Sequence, residues 1–140
     1  MLQLSRPKLL TWLQLASLIT VITGAIAGLG SHPATDFAWL WLFDLLQWPI
    51  DGNPALFSSD AHAINAVLGG VMMGWGLLMF KLARDDLFQE PIRAAMQAAL
   101  LFWFVTDSTG SFAADLPGNV VLNGAFLLLF LIPLRLLKRA

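Results

Sequence analysis

The chain has 140 residues, of which 58% are hydrophobic and only 12% charged, about half the charge of an ordinary soluble domain, and its mean hydropathy is +0.73. That composition indicates an integral membrane protein of one domain and roughly four spans, because a helix needs about 20 residues to cross ~30 Å of hydrocarbon and the length leaves no room for a soluble domain. The lack of cysteine excludes disulfides, thiolate nucleophiles, iron–sulfur ligation and zinc–thiolate sites, and the basic residues are too few and too scattered for nucleic acid.

Arg6 and Lys8 precede the apolar run Leu9 to Leu29, predicted as the first spanning helix. A rival reading is a signal peptide, since the basic start and apolar stretch lead to Ala25-Ile-Ala27, an A-x-A-like cleavage pattern that would release residues 1–27. Gly24 and Gly28 have the small-xxx-small spacing that lets another helix approach closely.

The stretch from Ser31 to Asn65 is rich in tryptophan and aspartate. Pro33 stops any helix, and the side chain of Asp36 can cap a new one over residues 37–48, which is too short to span. At 100° per residue Asp36, Asp44 and Gln47 share an arc of about 80° on an otherwise apolar helix. This pattern suits an interfacial helix, with Trp39, Trp41 and Trp48 as anchors at headgroup level. Asp51-Gly52-Asn53-Pro54 reads as a turn.

Ser58, Ser59 and Asp60 offer N-caps for a second span over residues 61–82. His62, Asn65, Gly69 and Gly76 share one of its faces, and Gly70 and Gly74 give a second close-packing option beside it. These seams place the helix at the centre of the bundle. Pro91 suits the first turn of a third span over residues 92–107, after which Asp107-Ser-Thr-Gly-Ser111 reads as a helix end and turn, with a break at Pro117-Gly118. The fourth span covers residues 119–137, with Asn119 and Asn123 one turn apart and Pro133 predicted to kink its last turn. The expected fold class is therefore all-α: four transmembrane helices in a bundle plus one short interfacial helix.

All 8 Lys and Arg residues fall at the N-terminus, around the connection between the second and third spans, or at the C-terminus. With four spans these regions share one side, which the positive-inside rule makes cytoplasmic for both termini in a bacterial inner (plasma) membrane. The opposite side carries Asp36, Asp44, Asp51, Asp60, Asp107 and Asp115 with His32 and His62.

Polar residues enter the spans only from that acidic side. His62, Asn65, Asp107, Ser108, Asn119 and Asn123 are costly in hydrocarbon unless they face a protein interior or a water-filled cavity, so they are expected to converge on one pocket, with Asp44 and Asp51 closing over it. The pocket would suit a cation, a proton relay, a lipid headgroup or an amine. The competing reading is a set of caps and interhelical hydrogen bonds that only fixes the bundle. A metal site built from the two histidines and an aspartate has no supporting spacing, and His62 as an axial ligand to a haem or pigment needs only one imidazole. No cofactor is required by the sequence.

These features lead to the expectation of a small membrane binding protein or accessory subunit, surrounded by lipid and assembled as a homo-oligomer or within a larger complex. The alternatives are a membrane-embedded enzyme acting on a lipid-like substrate through His62 and Asp107 acid–base chemistry, or a small transporter.

Overall fold

The computed structural model describes residues 4–138, so that Arg139 and the first residues of the polar start lie outside the described residues. Within them the chain forms five helices: α1 (Arg6–Leu29), α2 (Phe37–Leu46), α3 (Ser59–Leu82), α4 (Glu90–Ala113) and α5 (Pro117–Leu137). Three of these, α1, α3 and α5, are long and apolar enough to cross a membrane. At 24 residues α4 matches α1 and α3 in length but is less apolar, and α2 is a shorter apolar helix. The outward faces carry large apolar side chains such as Leu15, Ile22, Val67, Phe102 and Val121, the arrangement of a helical protein whose surroundings are themselves apolar.

Local chemistry explains the helix ends. Ser58 caps α3 by accepting from the Ala61 amide at 3.2 Å, and proline sits in the first turn of α1, α4 and α5, where an amide would have no intrahelical partner. Asp36 does not cap α2 with its side chain, because its carboxylate is drawn to His62 instead. Beyond Asp107 the helix continues through Asp107–Ser111 to Ala113. It closes in a Schellman turn in which Asp115 takes φ 56°, Leu116 donates to the Ser111 carbonyl at 2.9 Å and Asp115 to that of Phe112 at 3.3 Å. The DSTGS segment is helical because its polar side chains bond along and across the helices and leave the backbone ladder intact. Helix α5 runs through Pro133 to Leu137, with that proline fully buried.

The helices follow one another in cross-section as α3, α1, α5 and α4, with α2 laid over α1 and α5. This corrects the expectation that the helix 61–82 is central. The central position belongs to α1, which packs on both α3 and α5: 39% of its most apolar window is buried, against 22% for α3. The reason lies in the glycine seams. A Cβ on Gly69 would stand 2.5 Å from the Gly28 nitrogen and 2.7 Å from the Gly24 carbonyl oxygen, and one on Gly76 would stand 2.9 Å from the Ser17 carbonyl oxygen, so the glycine face of α3 is spent on α1. Gly70 and Gly74 meet nothing within 4 Å.

The core is concentrated at the basic end. Leu9, Leu13, Met79, Leu100, Phe130 and Leu134 form a continuous apolar cluster there. Around it, Arg6 Nε donates to Asp85 Oδ1 at 2.8 Å and its Nη2 to the Phe88 carbonyl at 2.7 Å. Buried Arg93 is held by Glu90 and by Gln97 Oε1 at 2.7 Å. The acidic end is packed less fully, and a cavity opens there.

Candidate functional site

The cavity has a volume of about 460 Å³ and is bounded by all five helices. Its walls are mainly aromatic and aliphatic: Trp39, Phe43 and Leu46 of α2 roof it, and Trp75, Trp103 and Phe126 line its lower part. Trp75 and Trp103 meet with ring centroids 5.6 Å apart, and Trp75 stacks on Phe130 at 6.5 Å, where the cavity gives way to the core of the basic end. Helices α3 and α4 are consecutive in the chain but do not pack along their length. Leu68, Val71 and Ala99, which line the cavity from those two helices, are exposed, and no extensive contact closes the gap between the helices. The mouth therefore lies between α3 and α4.

One end of the cavity is polar. Asp107 Oδ1 accepts three hydrogen bonds, from Asn123 Nδ2 at 2.8 Å, Asn119 Nδ2 at 2.9 Å and the Ser111 hydroxyl at 3.1 Å. Asn119 Nδ2 also donates to Ser111 Oγ at 2.7 Å, and Asn123 Nδ2 lies 3.3 Å from Ser108 Oγ. The periodicity of two antiparallel helices produces this cluster: Asp107 and Ser111 are one turn apart on α4, as are Asn119 and Asn123 on α5. Asp107, Asn119 and Asn123 all line the cavity, and Asp107 Oδ2 accepts no hydrogen bond from any described residue. No buried side-chain nitrogen or oxygen lacks a partner among the described residues. Oδ2 is therefore accessible, on a residue that lines the cavity.

A second polar group fixes the roof. His62 Nε2 lies 3.0 Å from Asp36 Oδ2, Trp39 Nε1 donates to Asn65 Oδ1 at 3.0 Å, and Asn65 Nδ2 donates to the Gly30 carbonyl at 3.0 Å. These bonds tie both ends of the connection between α1 and α3 to the start of α2. Aromatic contacts extend the tie from Trp39 through Phe43 and Phe57 to His62, with centroids 6.0, 5.5 and 5.9 Å apart. The far end of α2 rests on α5, where a Cβ on Gly118 would stand 2.5 Å from the Leu45 carbonyl oxygen. Only a glycine permits that approach.

The residues singled out from the sequence thus separate into two groups. Asp107, Ser108, Asn119 and Asn123 meet between α4 and α5, whereas His62 and Asn65 belong to the roof and do not line the cavity. Asp44 is buried and accepts from the Gly52 amide at 3.2 Å, shaping the turn after α2. It borders a shallower depression of about 450 Å³ on the outer side of that helix. Asp51 is exposed and closes a local turn by accepting from the Asn53 amide at 2.9 Å. Neither aspartate closes over the cavity. Of the three anchor tryptophans, Trp41 and Trp48 are more than half exposed, whereas Trp39 is 4% exposed and turned inward. Among the described residues no three His, Asp or Glu side chains come together to hold a metal, and His32 bonds only locally, accepting from the Ala34 amide.

Sequence reasoning missed Asp36, Ser111, Trp75, Trp103 and Gly118 as site residues. The signal for the two tryptophans was available: both sit well inside 24-residue helices, away from the helix ends where an interfacial indole is usually placed. Comparison with protein-family models, curated proteins and solved structures finds no match.

Proposed function

We propose that the protein is a small integral membrane binding protein of four spans, with both termini on the cytoplasmic side of the inner membrane, whose cavity on the opposite side holds an amphipathic small molecule. The observation that carries this is a cavity of about 460 Å³ walled by three tryptophans and ending in a hydrogen-bonded carboxylate. Such a size and lining are typical of small-molecule sites, which combine apolar walls with a few placed polar groups. Counting α4 as a span rests on its 24 residues, about 36 Å at 1.5 Å per residue, and on its antiparallel packing with α5. Four spans bring all the described Lys and Arg to one side.

The acid–base alternative needs His62 and Asp107 in one site, but His62 faces Asp36 and only Asp107 lines the cavity. A transporter needs a polar route to the basic end, where the apolar cluster around Leu13, Leu100 and Phe130 stands in the way. Assembly with a second copy or a partner subunit accompanies the binding reading, because the face with Gly70 and Gly74 is open to another helix.

Native mass spectrometry after mild extraction tests the proposal. A co-purifying small molecule is expected on the unmodified protein and is expected to be lost from Ala99→Trp, which blocks the mouth. A protein free of adducts, with thermal stability unchanged by Ala99→Trp, would count against the cavity as a binding site.

A further inference from the structure

We infer that the ligand is a lipophilic cation, an amine or ammonium compound with an apolar body, that reaches the cavity from within the membrane between α3 and α4; this rests on the reading of the cavity as a ligand site. Among the described residues Asp107 is the only ionisable side chain lining the cavity. It forms no ion pair among the described residues, and the described Lys and Arg all lie at the basic end. A carboxylate among apolar walls is costly without an opposite charge.

The hydrogen-bond directions at the polar end point the same way. Because Asn119 and Asn123 both turn their amide NH2 groups to Asp107 Oδ1, their carbonyl oxygens face elsewhere, and neither accepts a hydrogen bond from any described residue. With Asp107 Oδ2 they form a set of three acceptors, none of which is buried without a partner. The Thr20 and Thr23 hydroxyls, also in the lining, spend their protons on the carbonyls of Ala16 and Ile19. The side chains around the carboxylate therefore offer a ligand three acceptors, while the donors left in the lining are the indole N–H groups of Trp75 and Trp103, which have no partner among the described residues. This end therefore matches a head group that donates protons or carries positive charge, and the unpaired carboxylate disfavours an anion.

The walls suit the same head group. Trp103 precedes Asp107 by one helical turn on the same face, and Trp39 roofs the cavity, so indole rings share the cavity with the carboxylate and can add cation–π attraction to a charged head group. The mouth selects for the apolar body: Leu68, Val71 and Ala99 present only hydrocarbon around it.

The test uses the full chain in phosphatidylcholine nanodiscs and three probes that share a ten-carbon tail: decyltrimethylammonium, decyldimethylphosphine oxide and decyl sulfate. Binding is followed by calorimetry, with empty nanodiscs subtracted. The cation is expected to bind at least about tenfold tighter than the neutral oxide, with the sulfate weakest. Asp107→Asn keeps an oxygen for the three donors while replacing the open Oδ2, and it is expected to reduce the cation to the affinity of the oxide. Ala99→Trp is expected to weaken binding of the cation and the oxide alike. Equal binding of all three probes, tighter binding of the oxide or sulfate, or retention of the cation preference in D107N would overturn the cation inference and leave the cavity reading standing. No saturable binding of any probe would overturn both. The head-group ranking on the unmodified protein decides between these outcomes even if D107N fails to fold.

Discussion

Gly69 and Gly70 are adjacent on α3, and the structure assigns them opposite responses to the same substitution. A methyl on Gly69 would lie 2.5 Å from the Gly28 nitrogen and 2.6 Å from its Cα, against ordinary carbon contacts of about 3.5–4.0 Å. The obstructing atoms are backbone, so no rotamer change relieves the overlap, and α1 must move out by about 1 Å. A gap of that size forfeits a quarter to a half of the dispersion well for each contact along the seam, and overpacking of this kind costs about 1–3 kcal/mol. The upper part of that range applies here, because α1–α3 is the most extensive helix interface in the molecule. A methyl on Gly70 meets nothing within 4 Å and removes a helix-weakening glycine. We therefore expect Gly69→Ala to lower the free energy of unfolding by about 2–3 kcal/mol in SDS titrations of bicelle-reconstituted protein, and Gly70→Ala to leave it unchanged or slightly raised. Equal effects of the two substitutions, or a greater loss at Gly70, would refute the assignment of the α1–α3 seam.

Further outcomes follow from the roof, the topology and the basic end. Asn65→Ala leaves the Trp39 indole N–H and the Gly30 carbonyl without their partner; at about 1–3 kcal/mol for an abandoned buried group, amide exchange in α2 is expected to rise at least about fivefold while α4 and α5 stay protected. Uniform protection, or loosening of α4 instead, would contradict the proposed tie. Since the chain has no cysteine, Asn53→Cys and Asp86→Cys can each be labelled with an impermeant maleimide. In intact cells with a permeabilised outer membrane only the first is expected to react, and the reverse result would invert the topology. At the exposed start of α4, before the span proposed to begin near Ile92, hydrogen bonding from Arg93 holds the Glu90 carboxyl below its ordinary value of 4.5. Its stabilising contribution is therefore present above that pH and lost as pH falls through the lowered value. An NMR titration is expected to show a low Glu90 midpoint that returns to the ordinary range in Arg93→Gln, and a normal midpoint in the unmodified protein would remove the clamp.

The helical class, the four helices of about spanning length, the short α2, the Ser58 cap and the segregation of Lys and Arg from the acidic side were all legible in the sequence. They depend on hydropathy, length and turn chemistry, which are properties of contiguous residues and vary along one dimension. The cluster of Asp107 with Asn119 and Asn123 was also within reach, because α4 and α5 are joined by a tight turn and their polar residues recur at one-turn spacing.

The order of the helices around the bundle depended on the tertiary structure. It follows from which glycine meets which backbone: Gly69 against Gly24 and Gly28 puts α1 in the middle and α3 at the edge, although both helices carry glycine faces that read alike in the sequence. The division of the polar residues into a roof and a cavity end was equally hidden. Asp36 and His62 are separated by a proline-rich turn and a whole helix, and an aspartate before a helix looks like a cap until its partner is placed beside it. The cavity exists because α3 and α4, neighbours in the chain, are held apart by what each packs against. Hydropathy marks the residues that leave water, but only the matching of helix faces determines where the apolar surfaces fail to meet.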